Sequence, residues 1–514
     1  MFAFRRGAVP ESRVMVPHHP RARIWLAAVF VVVTLFWVFD LGWLRSGAPS
    51  LLDDTWEYGV AARHLLAGHG FRTSVIHPPL WGLRDAALTV PLLVHGPLVP
   101  LLFAPALSLL GPGALDQIAW FGAFFALLTA LLLCRLGTRH FGPAVGAAAA
   151  LLFTLAPLTL QAVHHDATLM VGAFLLLLAF DLLARDRPRW AAAAIVLGLG
   201  ALVRTEMTLA LFGLSMLAGG SGTVTLVFGL AIVAGAWWWH NWSATGSPFF
   251  SLSAYLLVGY SERWPGTSML RDFALTPAQW SRVLLESAPE LLKKAQASLR
   301  YTLKLAITEP SALTGWLAAV GLLVGTARAS TRWIAIAAFV CSLAPVSVIA
   351  FTVLDPRYIG PFLPLWTLSA AVAAEWLWGR IPRAGRTLGW IPVLALLMLF
   401  ATVPALRRGA SEARAFAALL AVERAALASR VTPAAALPRL TALGFERPAG
   451  AVPGAPRLMF SDTPDFVAWT TGRPTVWVSR DEYTRLPAPG ADVSADSPPP
   501  RGTVADTWFH EVLR

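Results

Sequence analysis

The sequence predicts an α-helical polytopic membrane protein of about eleven transmembrane helices, followed by a small C-terminal α/β domain outside the membrane. Three observations carry this. Of the 514 residues, 56% are hydrophobic and only 14% are charged, whereas a soluble domain has about 25% charged residues. The mean hydropathy is +0.61. The apolar residues are also gathered into long runs, separated by short basic or long polar stretches. One water-soluble core cannot hide so much apolar surface. A soluble enzyme, a disordered chain and a fibrous repeat are excluded together.

The first run, 24–43, has 20 residues. That is long enough to cross a bilayer and stay there, and no cleavable signal peptide is evident. The others are 117–136, 145–163, 169–184, 190–203, 207–217, 224–239, 312–325, 333–353, 359–378 and 387–406. Several fall short of the ~20 residues a perpendicular helix needs, so their helices extend into the flanks or are irregular. Around Arg204 the alternative is one long helix over 190–217.

Arginine placement sets the orientation. Arg5, Arg6, Arg13, Arg21 and Arg23 precede the first run. Arg135 and Arg139, then Arg185, Arg187 and Arg189, then Arg328 and Arg332, then Arg380, Arg383 and Arg386 follow later ones. With eleven crossings these all fall on one side, which the positive-inside rule makes the cytoplasm. The formal charge of +12 belongs to these loops, so no nucleic-acid partner is implied. The expected protein is an integral, multi-pass protein of the plasma (inner) membrane. Residues 1–23 form a cytoplasmic N-terminus, 24–406 the membrane domain and 407–514 an extracytoplasmic C-terminal domain. Cys134 and Cys341 lie inside apolar runs, and no disulfide framework follows.

Two large outer loops, 45–116 and 240–311, interrupt the membrane domain. In the first, 55–66 reads as an amphipathic helix. Residues 96–110 read as a helix lying on or dipping into the outer leaflet, because the stretch is short and holds Pro100 and Pro105. In the second, 284–303 is amphipathic and is a candidate acceptor-side flap. The tail reads as a helix over 411–430 and short strands at 457–461 and 475–479. A helical turn at 464–470 lies between the strands. Of the 22 tryptophans, ten, among them Trp43, Trp120, Trp190 and Trp237, sit near expected span ends, as interfacial anchors do.

The densest local signal is Leu52-Asp53-Asp54-Thr55-Trp56-Glu57-Tyr58, just outside the first span. Asp54 as N-cap and Glu57 three residues on would make a capping box. Asp53 has no such task. A carboxylate at the outer membrane surface beside a helix start is placed to act as a general base. His164-His165-Asp166 fills a very short outer loop. It reads either as a turn capped by Asp166 or as a second acid with histidines for phosphate or metal.

These residues resemble the type C glycosyltransferases, polytopic enzymes that take sugars from polyprenyl-phosphate carriers. That group includes the protein O-mannosyltransferases and the lipid A aminoarabinose transferases. Asp53-Asp54-Thr55 followed by Ala62-Arg63-His64-Leu65-Leu66-Ala67-Gly68-His69-Gly70-Phe71 is similar to their first periplasmic loop. His77-Pro78-Pro79-Leu80 and His95-Gly96-Pro97-Leu98 are each similar to the Pro-rich start of its second helix. Gly200-Ala201-Leu202-Val203-Arg204-Thr205, then Trp239-His240-Asn241 through Gly246-Ser247-Pro248, then Asp355-Pro356-Arg357-Tyr358 resemble later motifs in the same order. His240 stands where the group more often has Arg.

The resemblance implies that Asp53, at the position of the first acid of the pair, is the catalytic base. It also places an Asp at the loop of Asp166, where paired histidines are less typical of the group. The departing phosphate needs cations at membrane depth, and Arg204 and Arg357, each beside an apolar run, are the candidates, with Tyr358 as a further hydrogen-bond donor; the alternatives are snorkelling of Arg204 to the interface and a local pair of Arg357 with Asp355. Asp54, His164 and His165 complete the candidate substrate-binding residues. No cofactor is certain; a divalent metal is left open, since metal use varies in the group. The implied partners are a polyprenyl-phosphate sugar donor, a lipid, polysaccharide or protein acceptor, and membrane lipid. The alternative is a transporter or flippase of a lipid-linked substrate. Transporters, however, place ionisable groups near the bilayer midplane, and this chain keeps nearly all of them in loops or at span ends.

Overall fold

In lipid a backbone can satisfy its polar groups only within itself, so long apolar runs become helices. The computed structural model describes residues 20–44, 53–111, 118–261, 266–271, 275–353 and 355–381. Beyond these it describes a few short pieces, among them 459–461 and 474–477. In chain order the helices are α1 (Pro20–Phe39), α2 (Asp53–Leu66), α3 (Leu98–Leu110), α4 (Ile118–Phe141), α5 (Pro143–Leu155), α6 (Pro157–His165) and α7 (Ala167–Leu183). They continue with α8 (Trp190–Val203), α9 (Ala210–Thr245), α10 (Trp280–Glu286), α11 (Ala288–Thr308), α12 (Ala312–Ala327), α13 (Arg332–Phe351) and α14 (Leu363–Trp378). The first ten apolar runs each coincide with helix; nearly all of 387–406 lies outside the described residues. Among the described residues, 4 helices are long and apolar enough to cross a membrane alone, and up to 6 spans result if two bent pairs each count as one. One such pair is α5 and α6, bent by 55°. Pro157 opens α6 and has no N–H with which to continue the ladder of α5.

The region around Arg204 is not one helix. Arg204 has an extended backbone (φ −145°, ψ 124°) that ends α8. Inside α9, Gly219 has φ 70° and ψ −176°, a conformation that essentially only glycine adopts without strain. Packing shows the result. Gly229 lies against Ala194 and Gly198 against Val233, so the second half of α9 runs parallel to α8. The short piece 210–218 runs back between them, with Gly213 against Cys341 of α13. The runs at 207–217 and 224–239 are thus two segments, as the break in hydropathy implies.

The main core lies where α4, α5, α7 and α14 meet, around Leu133, Phe153, Phe180 and Leu363. α1 packs on α4 and α5 with Val29, Val33 and Trp37 inward. Its other face exposes Phe30, Val31, Leu35 and Val38, an apolar surface suited to lipid. At the cytoplasmic end expected from the basic loops, Asp181 is fully buried and paired with Arg135 at 3.1 Å and Arg185 at 2.6 Å, which satisfies its charge locally.

The first loop is ordered as a layer over this bundle. α3 buries Val99, Phe103 and Leu107 at four-residue spacing and exposes Leu101, Leu109 and Leu110. That one-sided burial agrees with a helix laid against the outer leaflet. α2 is less amphipathic than expected: Trp56, Tyr58, Val60, Ala61 and Ala62 are all buried because α3, α7 and α8 surround it. Strands β1 (Arg72–Thr73) and β3 (Val90–Pro91) pair antiparallel. The two strands expected in the tail are present as β4 (Met459–Ser461) and β5 (Thr475–Trp477); the rest of each expected stretch lies outside the described residues. They form a parallel sheet with β2 (Val75–Ile76) of the first loop, in the order β2-β5-β4. The expected helix over 411–430 and most of the helical turn at 464–470 lie outside the described residues. The amphipathic stretch of the second loop forms α10 and α11, and α11 meets α12 at 98°.

Candidate active site

α2 begins at Asp53. The expected capping box does not form, and this is a correction to the reading of Asp54 and Glu57 as caps. Asp54 lies inside the helix. Glu57 is turned inward, with its side chain only 3% exposed and its Oε2 3.2 Å from His95 Nε2 and 3.7 Å from His77 Nε2. A carboxylate carried under a loop needs partners, and the two imidazoles supply them. The two Pro-rich segments that resemble the family therefore converge on one acid. Burial alone would raise the Glu57 carboxyl. The His77 and His95 rings beside it outweigh burial and hold it well below the usual carboxylate range. Burial would likewise lower His95, but Glu57 and then Asp54 raise it above its ordinary value. The Glu57–His95 pair weakens as pH falls through the depressed carboxyl value or rises through the raised imidazole value.

Gly96 explains how His95 reaches this position. A Cβ on Gly96 would lie 2.0 Å from the Leu202 carbonyl oxygen, so only glycine lets the loop touch the end of α8, two residues from Arg204. We expect Gly96→Ala to push His95 off Glu57 and reduce transfer at least about tenfold, since small misplacements of a site are costly. Transfer rates of the purified variant check this, and an unchanged rate contradicts it.

Arg357 is the second residue of a 3-10 stretch, Pro356–Phe362, that Asp355 caps. Its Nε lies 2.5 Å from Asp355 Oδ2, and its Nη1 lies 3.3 Å from Asp54 Oδ2. Arg357 thus makes the local pair with Asp355 and also reaches Asp54 of α2. Asp355 also accepts the Arg357 backbone N–H at 2.8 Å. Arg204 Nη1 lies 3.1 Å from Asp166 Oδ2, and its Nε pairs with Glu206. Its guanidinium sits over the Tyr358 ring, 5.4 Å from the centroid. Asp166 does two jobs: it caps α7 by accepting from Thr168 N at 3.1 Å, and it holds Arg204. Burial would raise the Asp54 carboxyl, but Arg357, then His95 and Arg204, hold it below its ordinary value.

The structure thus joins Asp54, Asp166, Arg204, Arg357 and Tyr358. Each guanidinium stands between two carboxylates, and among the described residues its second Nη group makes no hydrogen bond, leaving donors that a ligand could use. The cluster opens to solvent at Asp54 and Arg357, whose side chains are 34% and 26% exposed; Arg204, at 13%, lies deeper. His164 faces α1 instead, its Nε2 2.5 Å from Asp40 Oδ2, both buried. The side chains of Asp53 and His165 lie outside the described part of the structure. Among the described residues, no group of three or more His, Cys, Asp and Glu is arranged to hold a metal ion.

Sequence reasoning missed Glu206, Asp40 and the role of both histidines. Two signals were present. Glu206 follows Arg204 by two residues, and Asp40 is an acid inside an apolar run, where an ionisable side chain is by default functional.

A family model described as dolichyl-phosphate-mannose-protein mannosyltransferase matches residues 94–239. In three dimensions the chain is similar to ArnT from Cupriavidus metallidurans, solved bound to undecaprenyl phosphate. The TM-score is 0.53 at 14% identity, covering 90% of this chain and 87% of that one. It is equally similar to the apo oligosaccharyltransferase of Archaeoglobus fulgidus, with a TM-score of 0.53 at 13% identity, covering 90% of this chain and 65% of that one. The fold is that of the type C glycosyltransferases. A third type C structure, the Archaeoglobus fulgidus oligosaccharyltransferase AglB with an inhibitory peptide and a dolichol-phosphate, gives a TM-score of 0.50 at 14% identity. That match covers 88% of this chain and 64% of that one. The chain therefore spans just under two thirds of the archaeal enzymes. No curated protein sequence matches it.

Proposed function

We propose that this protein is an integral membrane glycosyltransferase that moves a sugar from a polyprenyl-phosphate donor to an acceptor hydroxyl at the outer face of the membrane. One observation carries the reading. Arg357 is brought across 303 residues of sequence to Asp54, next to the candidate base at the start of α2. This contact links one acid of the pair, Asp54, to one of the cationic groups that the reaction would need. The donor carries its own leaving group. The acceptor oxygen attacks the anomeric carbon, Asp53 takes the hydroxyl proton, and the bond from that carbon to the phosphate oxygen breaks. The polyprenyl phosphate leaves with the electron pair. Arg357 and Arg204 then meet charge that grows on its oxygens. Their carboxylate partners hold the planar forks in place before substrate arrives. Tyr358, beside Arg204, adds a hydrogen-bond donor. The likeness to ArnT bound to undecaprenyl phosphate supports the class of donor. The acceptor is a lipid, a polysaccharide or a protein.

The test is incubation of the purified protein with a panel of polyprenyl-phosphate sugars. Release of polyprenyl phosphate that requires both the protein and an acceptor is the expected result. Transport of the intact donor across proteoliposomes without release would favour a transporter or flippase instead.

The orientation belongs to the same proposal: eleven crossings, with the tail outside. A Ser497→Cys variant is expected to react with a membrane-impermeant maleimide on intact spheroplasts. Labelling only after permeabilisation would contradict it.

A further inference from the structure

The tail after residue 407 reads as a domain of its own, yet β5 is built into the first loop. Val75 pairs with Thr475 and Ile76 with Val476 in parallel register, and Thr475 N donates to Ser74 O at 2.8 Å. Val476 is buried among Ile76, Leu80 and Val90. The next residue on each strand is decisive. His77 follows Ile76 and Trp477 follows Val476, and their rings meet edge to face, 5.2 Å apart at 75°. His77 is buried, and neither ring nitrogen has a hydrogen-bond partner among the described residues. Its nearest polar partner, Glu57 Oε2, lies 3.7 Å from Nε2, so the edge-to-face packing of Trp477 acts together with Glu57 to set the orientation of this ring. From His77 the contacts run to Glu57 at 3.7 Å, on to His95 at 3.2 Å, and from His95 to Asp54 at 4.0 Å. A second tail residue, Ala468, is buried in the same cluster as Trp56 and Tyr58, which flank Glu57.

We propose that Trp477, carried by β5, is a positioning residue of the transfer site. It fixes the His77 ring, which with His95 sets the Glu57 carboxylate and through it the start of α2. The tail is then part of the site and not an appended module. The catalytic arm of this proposal rests on the glycosyltransferase reading; the structural arm does not.

The experiment uses the full chain and two variants, Trp477→Ala and Trp477→Phe, each checked for native elution on size exclusion. Carbethoxylation of His77 by diethylpyrocarbonate is followed by peptide mass spectrometry, and kcat and donor KM are measured in parallel. Trp477→Ala is expected to speed His77 modification and to lower kcat by up to about 100-fold with donor KM unchanged. Trp477→Phe, which keeps an aromatic ring on His77, is expected to recover both. Unchanged His77 reactivity in Trp477→Ala overturns the proposal, as does an exposed His77 with normal kcat, or a loss in donor KM alone. If the unaltered protein releases polyprenyl phosphate from no donor, the glycosyltransferase reading fails. His77 reactivity still decides whether Trp477 holds the ring.

Discussion

Asp53→Asn is expected to slow sugar transfer by about 10²–10⁴-fold, the range for loss of a general base, while donor binding survives. The substitution is nearly isosteric, and the ion pairs described for α2 are those of Asp54 and Glu57. Asp54→Asn acts differently. It removes the negative charge 3.3 Å from Arg357 and 4.0 Å from His95, so it changes donor affinity and the set of the arginine more than the chemical step. Single-turnover rates separate the two, because they isolate chemistry from binding. An Asp53→Asn enzyme with near-normal single-turnover rate would move the base to another acid, with Asp166 the first candidate.

Arg357→Ala is expected to lower kcat/KM by about 10²–10³-fold, the cost of removing one preorganised donor from a developing oxyanion. It also strips the cation from Asp355 and Asp54 together, so part of the loss is a disordered α2 start. Arg357→Lys separates these effects. It keeps the charge between the two carboxylates but loses the planar fork. It should therefore stay folded and bind donor more weakly than the unaltered protein. Donor titrations of both variants check this. A donor dependence unchanged in Arg357→Ala and in Arg204→Ala would remove both residues from the phosphate site.

Much of this was legible in the sequence. Hydropathy located the helices, because backbone satisfaction in lipid leaves a long apolar run little choice but helix. Pro100 and Pro105 in a short run marked α3, and strands in the tail were visible from their apolar residues between turn signals. The charged partners of Arg357 were visible only in part. Asp355 is two residues away in sequence, whereas Asp54 is 303 residues away, and no local rule pairs Arg357 with Asp54. The capping box failed for a related reason. Its spacing, Asp54 to Glu57, is right for an exposed helix start. Glu57, however, sits beneath the loop that carries His77 and His95, and tertiary contact overrides a local cap. The same blindness hid the β2-β5 pairing, which joins segments about 400 residues apart by backbone hydrogen bonds that any side chains could accompany.

Arg204 and Arg357 are expected to bind the polyprenyl phosphate group together. Native mass spectrometry of the purified protein with added polyprenyl phosphate, without sugar or acceptor, tests it directly. The expected result is one retained polyprenyl phosphate on the unaltered protein and none on the Arg204→Gln, Arg357→Gln double variant at equal concentration. Equal retention by the double variant and the unaltered protein would contradict the account.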